Sequence, residues 1–190
     1  ITVIDEDYAR PERLSVRSGA RNIAPAPDGK AVAFVYRGDV FVTSTEYPTT
    51  KQITSTPEAE HDLEWSPDGK TLYYTSERNG HVNIYKATMG REDDLNFPNA
   101  TVIKEEPVFK ESDTEYMVPM ISPDGKKIAY IVDRNRLMVR DLKGGSAKQP
   151  TTIPRARWAS TSRGARTASG FSPRSSTAST TRIRTSPSTT

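Results

Sequence analysis

The sequence predicts an all-β chain: a partial β-propeller of about three four-stranded antiparallel blades. Three observations carry this reading. One tetrapeptide recurs, as Pro27-Asp28-Gly29-Lys30, Pro67-Asp68-Gly69-Lys70 and Pro123-Asp124-Gly125-Lys126. Its spacings are 40 and 56 residues, the period of propeller blades. The same kinds of short run flank every copy, so a whole unit repeats and not only a turn.

The elements of one unit follow in order. A short stretch precedes each copy: 21–24, 61–65 and 116–121, with Ser66 and Ser122 leading directly into the second and third copies. The tetrapeptide is a hairpin turn. Proline presets φ at the first central position, aspartate bonds nearby backbone N–H groups, and glycine takes the left-handed position that closes the pair. Alternating runs then read as second strands, at 31–36, 71–75 and 127–132. Second turns follow at Arg37-Gly38, 77–81 and 133–136, Asn79-Gly80 being the strongest signal among them. Third strands are expected at 39–42, 82–85 and 137–140, and fourth strands at 51–54 and 101–104. The longer second interval holds an insertion, roughly Gly90 to Ser112, which reads as a loop on one face. A β-sandwich is the structural alternative, but it has no need for one turn to recur with the same neighbours.

Composition excludes several classes. The chain has 190 residues and no cysteine, so it has neither a disulfide framework nor a thiolate metal site. No apolar run is long enough for a membrane-spanning helix. The start, Ile1-Thr2-Val3-Ile4, lacks a methionine and a signal pattern and reads as the interior of a longer protein. The net charge of +3 invites a nucleic-acid partner. Its distribution removes that inference: seven arginines lie beyond residue 150 with no acidic residue beside them, leaving 20 Lys+Arg against 24 Asp+Glu in the body.

The repeat resembles the propeller shared by the TolB protein and the tricorn proteases. Stretches 11–21, 34–42, 46–54 and 76–85 are similar to bacterial tricorn-like serine peptidases, and the resemblance covers about residues 5–150. Ala26 departs from the usual serine and forgoes a turn hydroxyl. The resemblance implies a propeller that gates or guides peptides toward a peptidase core, with that core and a PDZ domain further downstream in the parent. The implied partners are a peptide or protein substrate and the catalytic domains of the parent chain, in a periplasmic or secreted setting or alternatively a cytoplasmic one. A TolB-like interaction module and the propeller of a prolyl-oligopeptidase-type enzyme are the other readings.

The organisation expected is a lead-in over 1–20, blades over 21–150 and a Ser/Thr/Arg-rich tail over 151–190. The tail has no periodicity and too little apolar surface to offset its ordering entropy. It reads either as a disordered arm or as a frameshift. Codons permitted for Arg163–Gly170 spell Trp-Ser-Pro-Asp-Gly-Lys-Trp in the shifted frame, where a fourth turn is due. Those for Arg182–Ser188 permit Tyr-Pro-Asp-Ile-Ala-Leu. The encoding DNA from the codon of Thr151 onward tests this.

The sequence assigns no catalytic, cofactor or metal residue. Asp28, Asp68 and Asp124 are explained as turn caps by their proline and glycine neighbours. His61 and His81 have no spacing that favours a Ser–His–Asp arrangement. Trp65 and the aromatics Phe34, Tyr36, Phe41, Tyr73, Tyr74, Tyr85 and Tyr130 sit at strand spacing and read as inter-blade core. The Glu92-Asp93-Asp94 run reads as a solvated loop, and Asn99-Ala100-Thr101 as a sequon without force outside a eukaryotic secretory route. No phosphate loop, zinc motif or GxSxG elbow occurs. Open blade edges predict self-association.

Overall fold

The computed structural model describes residue 16 and residues 18–91, 93–110 and 112–149, together with the backbone of 182–184. The first blade is β1 (Arg21–Pro25), β2 (Ala31–Tyr36), β3 (Asp39–Ser44) and β4 (Thr49–Gln52), antiparallel in chain order. The second is β5 (Glu60–Trp65), β6 (Thr71–Ser76), β7 (Asn83–Met89) and β8 (Ile103–Pro107). The third is β9 (Tyr116–Ile121), β10 (Lys127–Val132) and β11 (Arg136–Asp141), with a single bridge from Val139 to Lys148 where a fourth strand would start. The remaining strand, β12 (Arg182–Arg184), runs parallel to β4. The rest of the tail, the frameshift reading and residues 1–15 lie outside the described residues.

Two strands lie off their expected positions. The fourth strands sit at 49–52 and 103–107, two residues earlier and two later than the sequence suggests. The insertion is therefore shorter, a loop over 90–102. Its neck closes where Gly90 N–H donates to the Val102 carbonyl at 2.8 Å; a Cβ on Gly90 would stand 2.9 Å from Val102 Cγ1. The loop is drawn onto the blade by Phe97, 2% exposed, whose ring meets Trp65 edge-on at 5.1 Å.

Strand alternation builds the core. On β2, Ala31, Ala33 and Val35 are buried while their neighbours are half-buried. Blade two is covered on both sides: Leu72, Tyr74, Tyr85 and Ala87 pack with blade one, while Tyr73 and Ile84 pack with blade three against Phe109 and Tyr130. Blade-to-blade ties also repeat. Glu60 N–H donates to the Gly38 carbonyl, and Tyr116 N–H to the Val82 carbonyl, joining the start of each inner strand to the preceding blade. A Cβ on Gly69 would lie 3.8 Å from Pro27 Cδ, and one on Gly125 3.8 Å from Pro67 Cδ, so the tetrapeptide turns stack one upon the next. Both glycines are left-handed, at φ 68° and 67°.

The inner strands β1, β5 and β9 lie side by side and share a feature the residues did not announce. Asn22, Asp62 and Val118 each stand five residues before a turn proline, and each has positive φ, 49°, 55° and 55°. The ladder to the second strand shifts register there in all three blades. A bulge thus re-aims the inner wall at one position per blade.

Candidate binding cleft and inner-strand cluster

The tetrapeptide turns form one end of the molecule. Asp28, Asp68 and Asp124 each accept the N–H of the lysine two residues on, at 2.9, 3.0 and 3.0 Å. In the second and third turns a serine hydroxyl donates to the same carboxylate at 2.5 Å and accepts an N–H five residues on at 2.9 Å. These bonds hold the Asp68 and Asp124 carboxyls below the usual range, the serine hydroxyl being the largest cause. In each carboxylate it is Oδ1 that takes these bonds inside the turn. Among the described residues no group of three or more His, Cys, Asp or Glu could hold a metal ion.

Between the first two turns and under the 90–102 loop lies a cleft of about 1380 Å³. Trp65 and Met89 line its depth, while Tyr47 (60% exposed) and Leu95 (93% exposed) stand at its rim on blade one and on the loop. The acidic groups on its walls are engaged: Asp94 accepts from the Thr101 N–H and hydroxyl at 3.0 and 3.1 Å, and Glu46 faces Lys30 at 3.8 Å. Arg91 pairs with Asp93 at 3.3 Å, and Glu92 lies outside the described residues. The sequence reading placed the loop on one face; the cleft beneath it depends on Phe97 docking on Trp65, 32 residues away in the chain.

At the opposite end, Glu60 has a fully buried side chain. It accepts from the hydroxyls of Thr54, Thr56 and Ser76 at 3.2, 2.8 and 3.1 Å and faces Arg78 at 3.4 Å. Arg78 also pairs with Glu105 and lies over the Tyr85 ring at 4.7 Å. Burial pushes the Glu60 carboxyl up, against the Thr56 bond and the Arg78 charge. Next to it, His61 Nδ1 and Asp62 Oδ2 are 2.7 Å apart. The Thr75 hydroxyl donates to Asp62 at 3.2 Å and accepts the Val118 N–H at 3.1 Å. The bond to Asp62 raises the His61 pKa. Burial pushes the Asp62 carboxyl up, but the His61 bond and charge outweigh it and hold the group low. The order is hydroxyl, carboxylate, imidazole: the carboxylate stands between the Thr75 hydroxyl and the His61 ring, which is not the hydroxyl–imidazole–carboxylate order of a nucleophilic triad. The cluster ties blade two to the bulge of blade three. His81 closes a 3₁₀ turn at 78–80, donating its N–H to the Arg78 carbonyl at 3.0 Å.

Three successive antiparallel sheets packed face to face, each with a Pro-Asp-Gly turn between its first two strands, agree with the comparison of the chain with protein families. The TolB beta propeller domain model matches residues 8–152. The chain belongs to this family. Among curated proteins, none matches. A putative TolB from Agrobacterium tumefaciens is similar in structure at 18% identity and a TM-score of 0.56, covering 71% of this chain and 50% of its own. TolB from Acinetobacter baumannii is similar at 22% identity and a TM-score of 0.53, covering 71% of this chain and 34% of its own. A puromycin-hydrolyzing peptidase of Mycobacterium tuberculosis is similar at 17% identity and a TM-score of 0.55, covering 75% of this chain and 23% of its own. The TolB-type propeller described here thus spans half the length or less of these structures. Among the described residues no helix is long and apolar enough to cross a membrane.

Proposed function

We propose that this propeller binds polypeptide without chemistry of its own, as the peptide-guiding part of a tricorn-like serine peptidase. The observation that carries the reading is the cleft. At about 1380 Å³ it exceeds the several hundred cubic ångströms typical of small-molecule sites. Its lining includes two exposed apolar side chains, Tyr47 from blade one and Leu95 from the loop, which suit an extended peptide. A peptidase among the similar structures supports the gating role, and two TolB structures support the alternative of a docking module for folded proteins.

A fluorescently labelled casein digest tests it. Binding in the micromolar range is expected, with the peptides intact by mass spectrometry. Tyr47→Ala and Leu95→Ala, both at exposed positions, should each weaken it about three- to tenfold, or about 0.7–1.4 kcal/mol. Absence of binding near millimolar peptide, or no effect of either change, would sink the reading. Retention of a folded protein in preference to peptides favours the docking module.

A further inference from the structure

The outer edge of blade one carries an added strand, and we propose that this edge is a seat for an extended peptide, taken parallel to β4 through main-chain bonds. The added strand is β12, whose Arg182, Ile183 and Arg184 lie in register with Thr49, Thr50 and Lys51. Which groups of β4 reach outward follows from its other side. The Ile53 N–H donates to the Val40 carbonyl at 2.8 Å, and β3 pairs Phe41, Val42 and Thr43 with Gln52, Lys51 and Thr50. Main-chain groups alternate in direction along a strand, so those of Lys51 face β3 and those of Thr50 and Gln52 face away from it. In a parallel ladder a residue bonds the two neighbours of its partner. The Thr50 N–H therefore faces the Arg182 carbonyl, and the Thr50 carbonyl faces the Arg184 N–H.

The make-up of β4 suits a seat. Edge strands are commonly blunted by proline, exposed charge or a bulge. β4 reads Thr-Thr-Lys-Gln, with no proline and two β-branched residues, its ladder to β3 is regular, and its lysine is only 8% exposed. By contrast β8, the same strand of blade two, carries Glu105 and Glu106 and ends in Pro107. Main-chain bonds are indifferent to side chains, and at two register positions the tail strand fits poorly. Arg182 stands beside Thr49, whose Oγ1 is buried with no hydrogen-bond partner among the described residues. Arg184 stands beside Lys51, and like charges on paired residues repel. A serine at the first position and a carboxylate at the third remove both defects. The seat also continues the cleft. β4 starts two residues after Tyr47, which lines the cleft, and the Phe97–Asn99 turn of the 90–102 loop lies against β3 and β4. A parallel strand has its amino end at Thr49, so a peptide leaving the cleft past Tyr47 enters the seat in the right direction. The seat is made by the backbone of β4 and does not rest on binding in the cleft.

Arg184→Pro in the 190-residue chain removes the N–H that faces Thr50 and so clears the tail strand from the edge. Two labelled peptides of one composition are the probes, Thr-Ser-Ile-Glu-Thr and Thr-Glu-Ile-Ser-Thr, titrated by fluorescence anisotropy to about 1 mM. The first places serine beside Thr49 and glutamate beside Lys51, and should bind about threefold tighter or more. The unchanged chain, with β12 seated, should bind it more weakly. Methylation of the glutamate nitrogen, the atom that faces the Thr50 carbonyl, should abolish binding. On binding, amide exchange should slow at Thr50 and Gln52 and stay as it was at Lys51. Adding Leu95→Ala should leave the affinity unchanged; a loss there assigns the peptides to the cleft and overturns the proposal. No binding of either peptide, equal or reversed preference, binding that survives methylation, or equal affinity with the tail strand in place also overturns it.

Discussion

Ala26 is the one place where a turn residue departs from its repeats, and the other two turns show what is missing. Ser66 and Ser122 donate to the turn carboxylate and accept the N–H of the first strand residue beyond. In blade one Asp28 still caps Lys30, and the Ala26 N–H still bonds the Ala31 carbonyl, so the backbone is already set for the hydroxyl. Ala26→Ser should therefore add about 1 kcal/mol of stability and raise Tm by a few degrees. The gain should fall by at least half in an Asp28→Ala background, since the carboxylate is one of its two partners. Denaturant titration of the four variants reads this coupling directly. The departure was legible in the sequence because the repeat supplies its own standard. The bulges were not legible: Asn22, Asp62 and Val118 share no residue type, and a β-branched valine at φ 55° gives no sign in a sequence.

Among the elements, strands came through in the sequence because each follows a turn whose chemistry is local. The ties between elements did not, because they join positions remote in the chain. Arg78 reads as part of a polar turn, yet it stands between Glu60 of β5 and Glu105 of β8. Removing one member of such a cluster strips buried groups of a partner. Glu60→Ala should cost about 2–4 kcal/mol, with Arg78 retaining Glu105. Glu60→Gln should cost less, since the amide still bonds the three hydroxyls. Equal losses for the two changes in urea unfolding would show that charge, not hydrogen bonding, holds the site. The adjacent pair has a pH signature. The folded His61 pKa is raised, so its contribution is fully present below the unfolded value of about 6.5 and is lost as pH rises through the folded value. Wild type should exceed His61→Gln in Tm at pH 6, and the difference should shrink on moving to pH 8. A difference that holds constant, or grows, would mean that the imidazole acts by packing alone.

For the molecule as a whole, the arrangement of blades fixes where stability resides. Blade two is covered on both faces, and every residue of β6 from Leu72 to Ser76 is buried. Blades one and three each lend one face to it. Hydrogen exchange should therefore be slowest in β6 and β7. It should be faster in β2 and β3, and fastest in β10 and β11, whose sheet has three strands and a single bridge at Lys148. Equal protection of blades one, two and three would show that burial of blade two between its neighbours does not set the order of opening.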